Sequence, residues 1–81
     1  MPRALRIHER QVPDAERADY LAALPVRKAR AAAVPAHFWV FEHATERGRF
    51  VEFTEAASEA DLAAADGRAS ADDVWREVQG G

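Results

Sequence analysis

Apolar and polar side chains alternate from Leu5 to Val12, with Leu5, Ile7 and Glu9 on one side and Arg6, His8 and Arg10 on the other. A period of two predicts a strand with one covered face and one more polar face. Pro13-Asp14 ends it. Asp14 is a good helix N-cap, and Glu16 falls in the first turn, where the helix dipole favours negative charge. A helix is expected from about Ala15 to Ala33, with Ala18, Leu21, Ala22, Pro25, Ala29 and Ala32 near one stripe. Small residues on that stripe suit close packing. Pro25 removes a backbone donor and clashes with the carbonyl four residues earlier, so a kink or break is expected there. Arg27, Lys28 and Arg30 crowd the last turns, and Val34-Pro35 ends the helix.

His37-Phe38-Trp39-Val40-Phe41-Glu42-His43 is the most strand-like segment, rich in aromatic and β-branched residues. Ala44 to Gly48 is a turn, with Gly48 available for positive φ. Arg49 to Glu55 returns, with Val51 and Phe53 on one side and Phe50, Glu52 and Thr54 on the other. The short connection makes an antiparallel hairpin. Ser58-Glu59-Ala60-Asp61 resembles a capping box for a second helix that stops at Asp66-Gly67. In the tail, Val74 to Gln79 alternates as a strand would, whereas Ser70 to Asp73 reads as the cap of a short helix. The strand is favoured, because two valines and a tryptophan suit a pleated surface. It is expected at the sheet edge beside the first strand. The order β-α-β-β-α-β then gives an α+β, ferredoxin-like fold: a four-stranded antiparallel sheet with both helices on one face.

The chain has 81 residues, which fits a single domain over 1–81. So small a chain buries only ~60% of its unfolded surface and gains from further burial by assembly. Fourteen acidic residues against eleven basic ones, a net charge of −3, argue against nucleic acid as a partner. The absence of cysteine excludes a disulfide framework and a thiolate metal cluster. No apolar run reaches the ~18 residues of a membrane span, and Met1 to Arg6 lacks the apolar stretch of a signal peptide. The expectation is a cytoplasmic protein with no membrane partner.

The segments His37-Phe38-Trp39-Val40-Phe41-Glu42 and Gly48-Arg49-Phe50-Val51-Glu52-Phe53-Thr54-Glu55-Ala56 resemble the central hairpin of small dimeric α/β-barrel proteins. The antibiotic-biosynthesis-monooxygenase-like group is the best known branch. Ser58 to Ala64 is similar to the acidic, alanine-rich helix of that group, and Trp75-Arg76-Glu77-Val78 resembles the closing strand of its small members. The resemblance implies a homodimer with sheets packed face to face around a pocket. It also implies activities that range from cofactor-independent oxygenation to haem degradation. Those branches rely on an asparagine working with tryptophan or histidine. This chain contains no asparagine, so no catalytic residue carries over.

Candidate chemistry sits on the predicted strands. Both sides of the His37–His43 segment are apolar, and only one can meet the helices, so Trp39, Phe41, His43 and Phe50 are candidates for a pocket or interface. Placing Leu5, Ile7, Val51 and Phe53 against the helices puts His8 and Glu52 on the opposite sheet face, on neighbouring strands. His8 is then a candidate catalytic base and Glu52 its orienting partner. Whether Trp39 and Phe41 or Phe38 and Val40 join them depends on a one-residue register that the pattern leaves open. The histidines His8, His37 and His43 lack metal-ligand spacing, and no metal or cofactor is expected. The other strand carboxylates and arginines read as cross-strand ion pairs, and Arg27-Lys28-Ala29-Arg30 as a helix C-terminus. Two readings remain: a homodimer binding a small organic molecule between sheet and helices, with oxygenase-like chemistry, or a non-catalytic dimeric accessory protein whose pocket its own side chains fill.

Overall fold

The structure, a computed structural model, describes residues 3–66 and 73–78. Its elements run β1 (Ala4–Gln11), α1 (Asp14–Ala32), β2 (Ala36–Glu42), β3 (Arg49–Ala56), α2 (Glu59–Asp66) and β4 (Val74–Arg76). The strands form one antiparallel sheet in the order β2-β3-β1-β4. This is the ferredoxin-like α+β arrangement that the order of elements predicts. β4 is the edge strand beside β1, with Leu5 opposite Trp75. Gln79 and the expected glycine stop at Gly67 lie outside the described residues. Among the described residues, no helix is long and apolar enough to cross a membrane.

Local chemistry explains the element ends. The Ser58 hydroxyl accepts the Asp61 backbone N–H at 3.1 Å, so the serine cap of α2 forms. Gly48 has φ +85°, and a side chain there would run into the Val12 carbonyl oxygen. Glycine is therefore required on two counts, and its own carbonyl accepts the Val12 N–H at 2.8 Å. Asp14 does not cap α1. Pro13 takes the cap position without a side-chain bond, and Asp14 becomes the first helical residue, paired with Arg47 at 2.9 Å. Nor does Pro25 break α1, which continues from Asp14 to Ala32. Pro25 and Leu21 both lie on the exposed side, where water can serve the carbonyl that the proline leaves without a donor.

The faces of α1 and of the sheet are the reverse of those expected. The stripe Ala18, Leu21, Ala22, Pro25, Ala29 and Ala32 is exposed. The side turned to the sheet is Arg17, Tyr20, Leu24, Arg27 and Ala31, spaced by three and four residues as one helical face requires. On the sheet, Ala4, Arg6 and His8 of β1, Ala36, Phe38 and Val40 of β2, and Phe50, Glu52, Thr54 and Ala56 of β3 lie on the helix side. Leu5, Ile7, Val51 and Phe53 therefore point away from the helices, beside Trp39 and Phe41. The register left open by the sequence is settled: Phe38 and Val40 share the face of His8 and Glu52.

The core occupies one end of the layer between sheet and helices. Ala4, Ala31, Ala36, Phe38, Ala56, Leu62 and Ala65 form it. Five alanines let the helix backbones approach the sheet closely, and Phe38 and the fully buried Leu62 supply the bulk. Toward the other end the same layer becomes charged, and there it opens.

Candidate functional site

A cleft of about 350 Å³ lies between α1 and strands β1 and β3, lined by Arg6, His8, Arg10, Tyr20, Ala23, Arg27, Glu52 and Thr54. Each side chain arrives by simple periodicity. Arg6, His8 and Arg10 are alternate residues of β1, as Glu52 and Thr54 are of β3, and His8 lies directly opposite Glu52 in the ladder. Tyr20, Ala23 and Arg27 stand one turn apart along α1.

Glu52 organises the site. It is 4% exposed. One carboxylate oxygen, Oε1, accepts from Arg27 Nη2 at 2.9 Å. The other, Oε2, accepts from Arg27 Nη1 at 2.8 Å and from the Tyr20 hydroxyl, with Arg10 Nε at 3.3 Å. The fork-to-fork pair with Arg27 fixes both planes. Arg27 also lies over the Phe38 ring at 4.7 Å, and Arg10 over the Tyr20 ring at 5.8 Å. Tyr20 packs on Phe50 with ring centroids 4.6 Å apart. The guanidinium groups are thus held between an anion and aromatic faces.

The electrostatics follow from these contacts. Burial pushes the Glu52 carboxyl up, but the hydrogen bonds from Arg27 and Tyr20 and the charges of Arg27 and Arg10 outweigh it and hold the group below the usual carboxylate range. Burial, together with the bond to ionised Glu52, pushes the Tyr20 hydroxyl well above its ordinary value. The two shifts reinforce each other, leaving Glu52 a stabilised anion and Tyr20 a neutral hydroxyl donor.

A second cluster joins the hairpin to the start of α1. The Glu42 carboxylate accepts from Arg17 at 2.6 and 3.1 Å and from the Gly48 backbone N–H at 2.8 Å. The bonds from Arg17 and Gly48 lower its pKa to about 2. Its carboxylate oxygens are thus satisfied within this latch between hairpin and helix.

The residues expected from sequence are distributed over both faces. His8 and Glu52 share a face and a cleft, but on the helix side of the sheet rather than away from it, because α1 supplies the partners that neutralise Glu52. The Glu52 oxygens are engaged by Arg27, Tyr20 and Arg10 rather than by His8. Phe50 is buried beside Tyr20, whereas Trp39 and Phe41 are on the opposite face, 45% and 57% exposed. His43 belongs to the turn, where its Nδ1 accepts the Thr45 and Glu46 backbone N–H groups, each at 3.1 Å. Sequence reasoning missed Tyr20 and gave Arg27 only a helix-end role. The available signal was the spacing of Arg17, Tyr20, Leu24, Arg27 and Ala31, which places two arginines and a tyrosine opposite strand carboxylates.

The face turned away from the helices has different chemistry. Leu5, Ile7, Val51, Phe53, Trp39 and Phe41 form an apolar surface, with Phe41 edge-on to Phe53 at 5.8 Å. Arg3 with Glu55, and Arg49 with Glu9, pair at its margin.

Fold and site define a ferredoxin-like α+β protein with a charged cleft beneath α1 and an apolar outer sheet face. No family model, curated protein or solved structure matches the chain.

Proposed function

We propose that the protein is a homodimer of the dimeric α/β-barrel kind that binds a small organic molecule in the cleft between α1 and the sheet. The observation that carries the binding reading is Glu52: a carboxylate 4% exposed, fixed by two arginines and a tyrosine, at an open cleft of about 350 Å³. Ligand sites are concave, begin at ~300 Å³, and use a few pre-positioned polar groups to orient what they bind. The open volume favours a ligand over an interior filled by the protein's own side chains. The Glu52 oxygens are spent on Arg27, Tyr20 and Arg10 rather than on orienting His8, which favours binding over an acid–base pair.

The apolar outer face supports the dimer. An apolar centre with a charged margin is the composition of a protein interface. A second copy related by a two-fold axis presents the same surface, so the two faces match in kind.

Sedimentation at micromolar concentration tests the assembly, and a mass near 9.0 kDa would refute it. A fragment set screened by NMR on the labelled chain tests the binding. Saturable shifts at Tyr20, Ala23, Arg27 and Thr54 are expected, and their absence for every fragment would refute the reading.

A further inference from the structure

The chemical class of the ligand follows from the charges around the cleft, given the binding reading above. We infer that the cleft takes a small organic anion, a carboxylate or a phosphate monoester, held by Arg10 and Arg27.

Two guanidinium groups converge on one carboxylate, Arg27 at 2.8 and 2.9 Å and Arg10 at 3.3 Å. Glu52 offsets only one of them, so these three side chains together stay positive. The Glu52 oxygens are also crowded: the Tyr20 hydroxyl, an arginine N–H and the Arg10 Nε all meet at Oε2. That carboxylate is poorly placed to accept from a ligand cation. The arginines have donors to spare. Arg10 faces Glu52 through Nε, which leaves its terminal amino groups, and its side chain is 44% exposed against 4% for Glu52. Arg27, 33% exposed, spends one N–H from each terminal nitrogen of its five N–H groups.

Two parallel N–H groups at the rim match the two oxygens of a carboxylate or phosphate. Their planes are already set by Tyr20 and Phe38, so little side-chain freedom is lost on binding. Thr54 and His8 bring a hydroxyl and an imidazole to the remaining wall, and Ala23 a methyl group. That excess of positive charge favours an anion and opposes a cation. Glu52 is thus both the clamp that positions the arginines and a competitor for them.

The test is NMR titration of the full chain at pH 7 and low salt with benzoate, phenyl phosphate, benzamide, benzylamine and inorganic phosphate. Benzoate or phenyl phosphate is expected to shift Tyr20, Ala23, Arg27 and Thr54 saturably, and the stronger of the two identifies the head group. Arg10→Gln, at a half-exposed position that leaves the fold intact, should weaken that binding roughly tenfold, the worth of a hydrogen bond to a charged group. Arg10→Lys should restore part of it, and raised salt should weaken it. Glu52→Gln, where circular dichroism shows it folded, should tighten it several-fold. If benzamide or benzylamine binds the cleft as tightly as benzoate and phenyl phosphate, the anion inference fails while ligand binding stands. If inorganic phosphate binds as tightly as either organic anion, the organic part fails. If none of the five shifts the cleft, the inference is overturned, and the wider fragment set decides the binding reading by itself.

Discussion

The two faces of the sheet differ in the wrong direction for a simple core. The face under the helices carries Arg6, His8, Glu52 and Thr54 among alanines and two phenylalanines. The outer face carries Leu5, Ile7, Val51, Phe53, Trp39 and Phe41. A rule that sends the more apolar face to the helices assigns this molecule upside down. Hydrophobicity identifies a face that needs a cover, but it does not say whether the cover is a helix of the same chain or another subunit. Here the helix is chosen by charge. α1 presents Arg17, Tyr20 and Arg27, and each meets a strand carboxylate, Glu42 or Glu52. The outer face is left uncovered by the helices.

Breaking that contrast at the outer face should produce the largest effect. In the proposed dimer, Phe41→Glu is expected to raise the dissociation constant by roughly a thousandfold, as loss of a central aromatic and burial of an unpaired charge do. The monomer should keep its fold, since Phe41 is 57% exposed within one chain. Sedimentation and circular dichroism read the two results separately. An unchanged mass, or loss of structure at every concentration, would mean that the outer face is not the interface or that it carries the fold.

The helix side answers differently. Leu62→Ala should cost about 2–5 kcal/mol of stability, because few large side chains fill this alanine-lined layer and the vacated volume cannot collapse readily. Thermal or urea unfolding measures it. Glu52→Ala should cost about 2 kcal/mol, below the ~3–5 kcal/mol of a fully buried pair because Arg10 and Arg27 reach water.

Acid should act on the same side of the sheet. Glu52 and Glu42 have pKa values lowered by folding, Glu42 to about 2. Their contribution to stability is complete above the ordinary carboxylate pKa and is lost as pH falls through the folded value. For Glu42 that window runs from 4.5 to about 2. Glu42→Gln should flatten this part of an acid-unfolding curve, and an unaltered curve would remove the latch role.

The smallest effect is expected for the exposed Asp14–Arg47 pair. Arg47→Ala should change stability by less than ~0.5 kcal/mol, since both partners are well hydrated. A larger loss would show that the hairpin turn depends on this contact.

The sequence by itself determined most of what local backbone chemistry controls, the exceptions being the cap of α1, which Pro13 takes from Asp14, and Pro25, which α1 accommodates. Alternation in Leu5–Val12 and Arg49–Glu55, the serine cap of α2, the glycine at 48 and a closing strand, expected over Val74–Gln79 and formed over Val74–Arg76, were legible, and with the handedness of crossovers they define the ferredoxin-like order. Alternation also placed His8 and Glu52 on one face of adjacent strands, because register fixes sides. What it did not contain was which side the helices take. That depends on the sum of long-range pairings: Tyr20 and Arg27 lie 32 and 25 residues from Glu52, and Arg17 lies 25 from Glu42. An arginine on a helix reads as surface until a buried carboxylate is found opposite it. Only the tertiary structure brings the two together, and in doing so it turns a polar stripe inward, opens a charged cleft at one end and leaves the apolar face of the sheet bare.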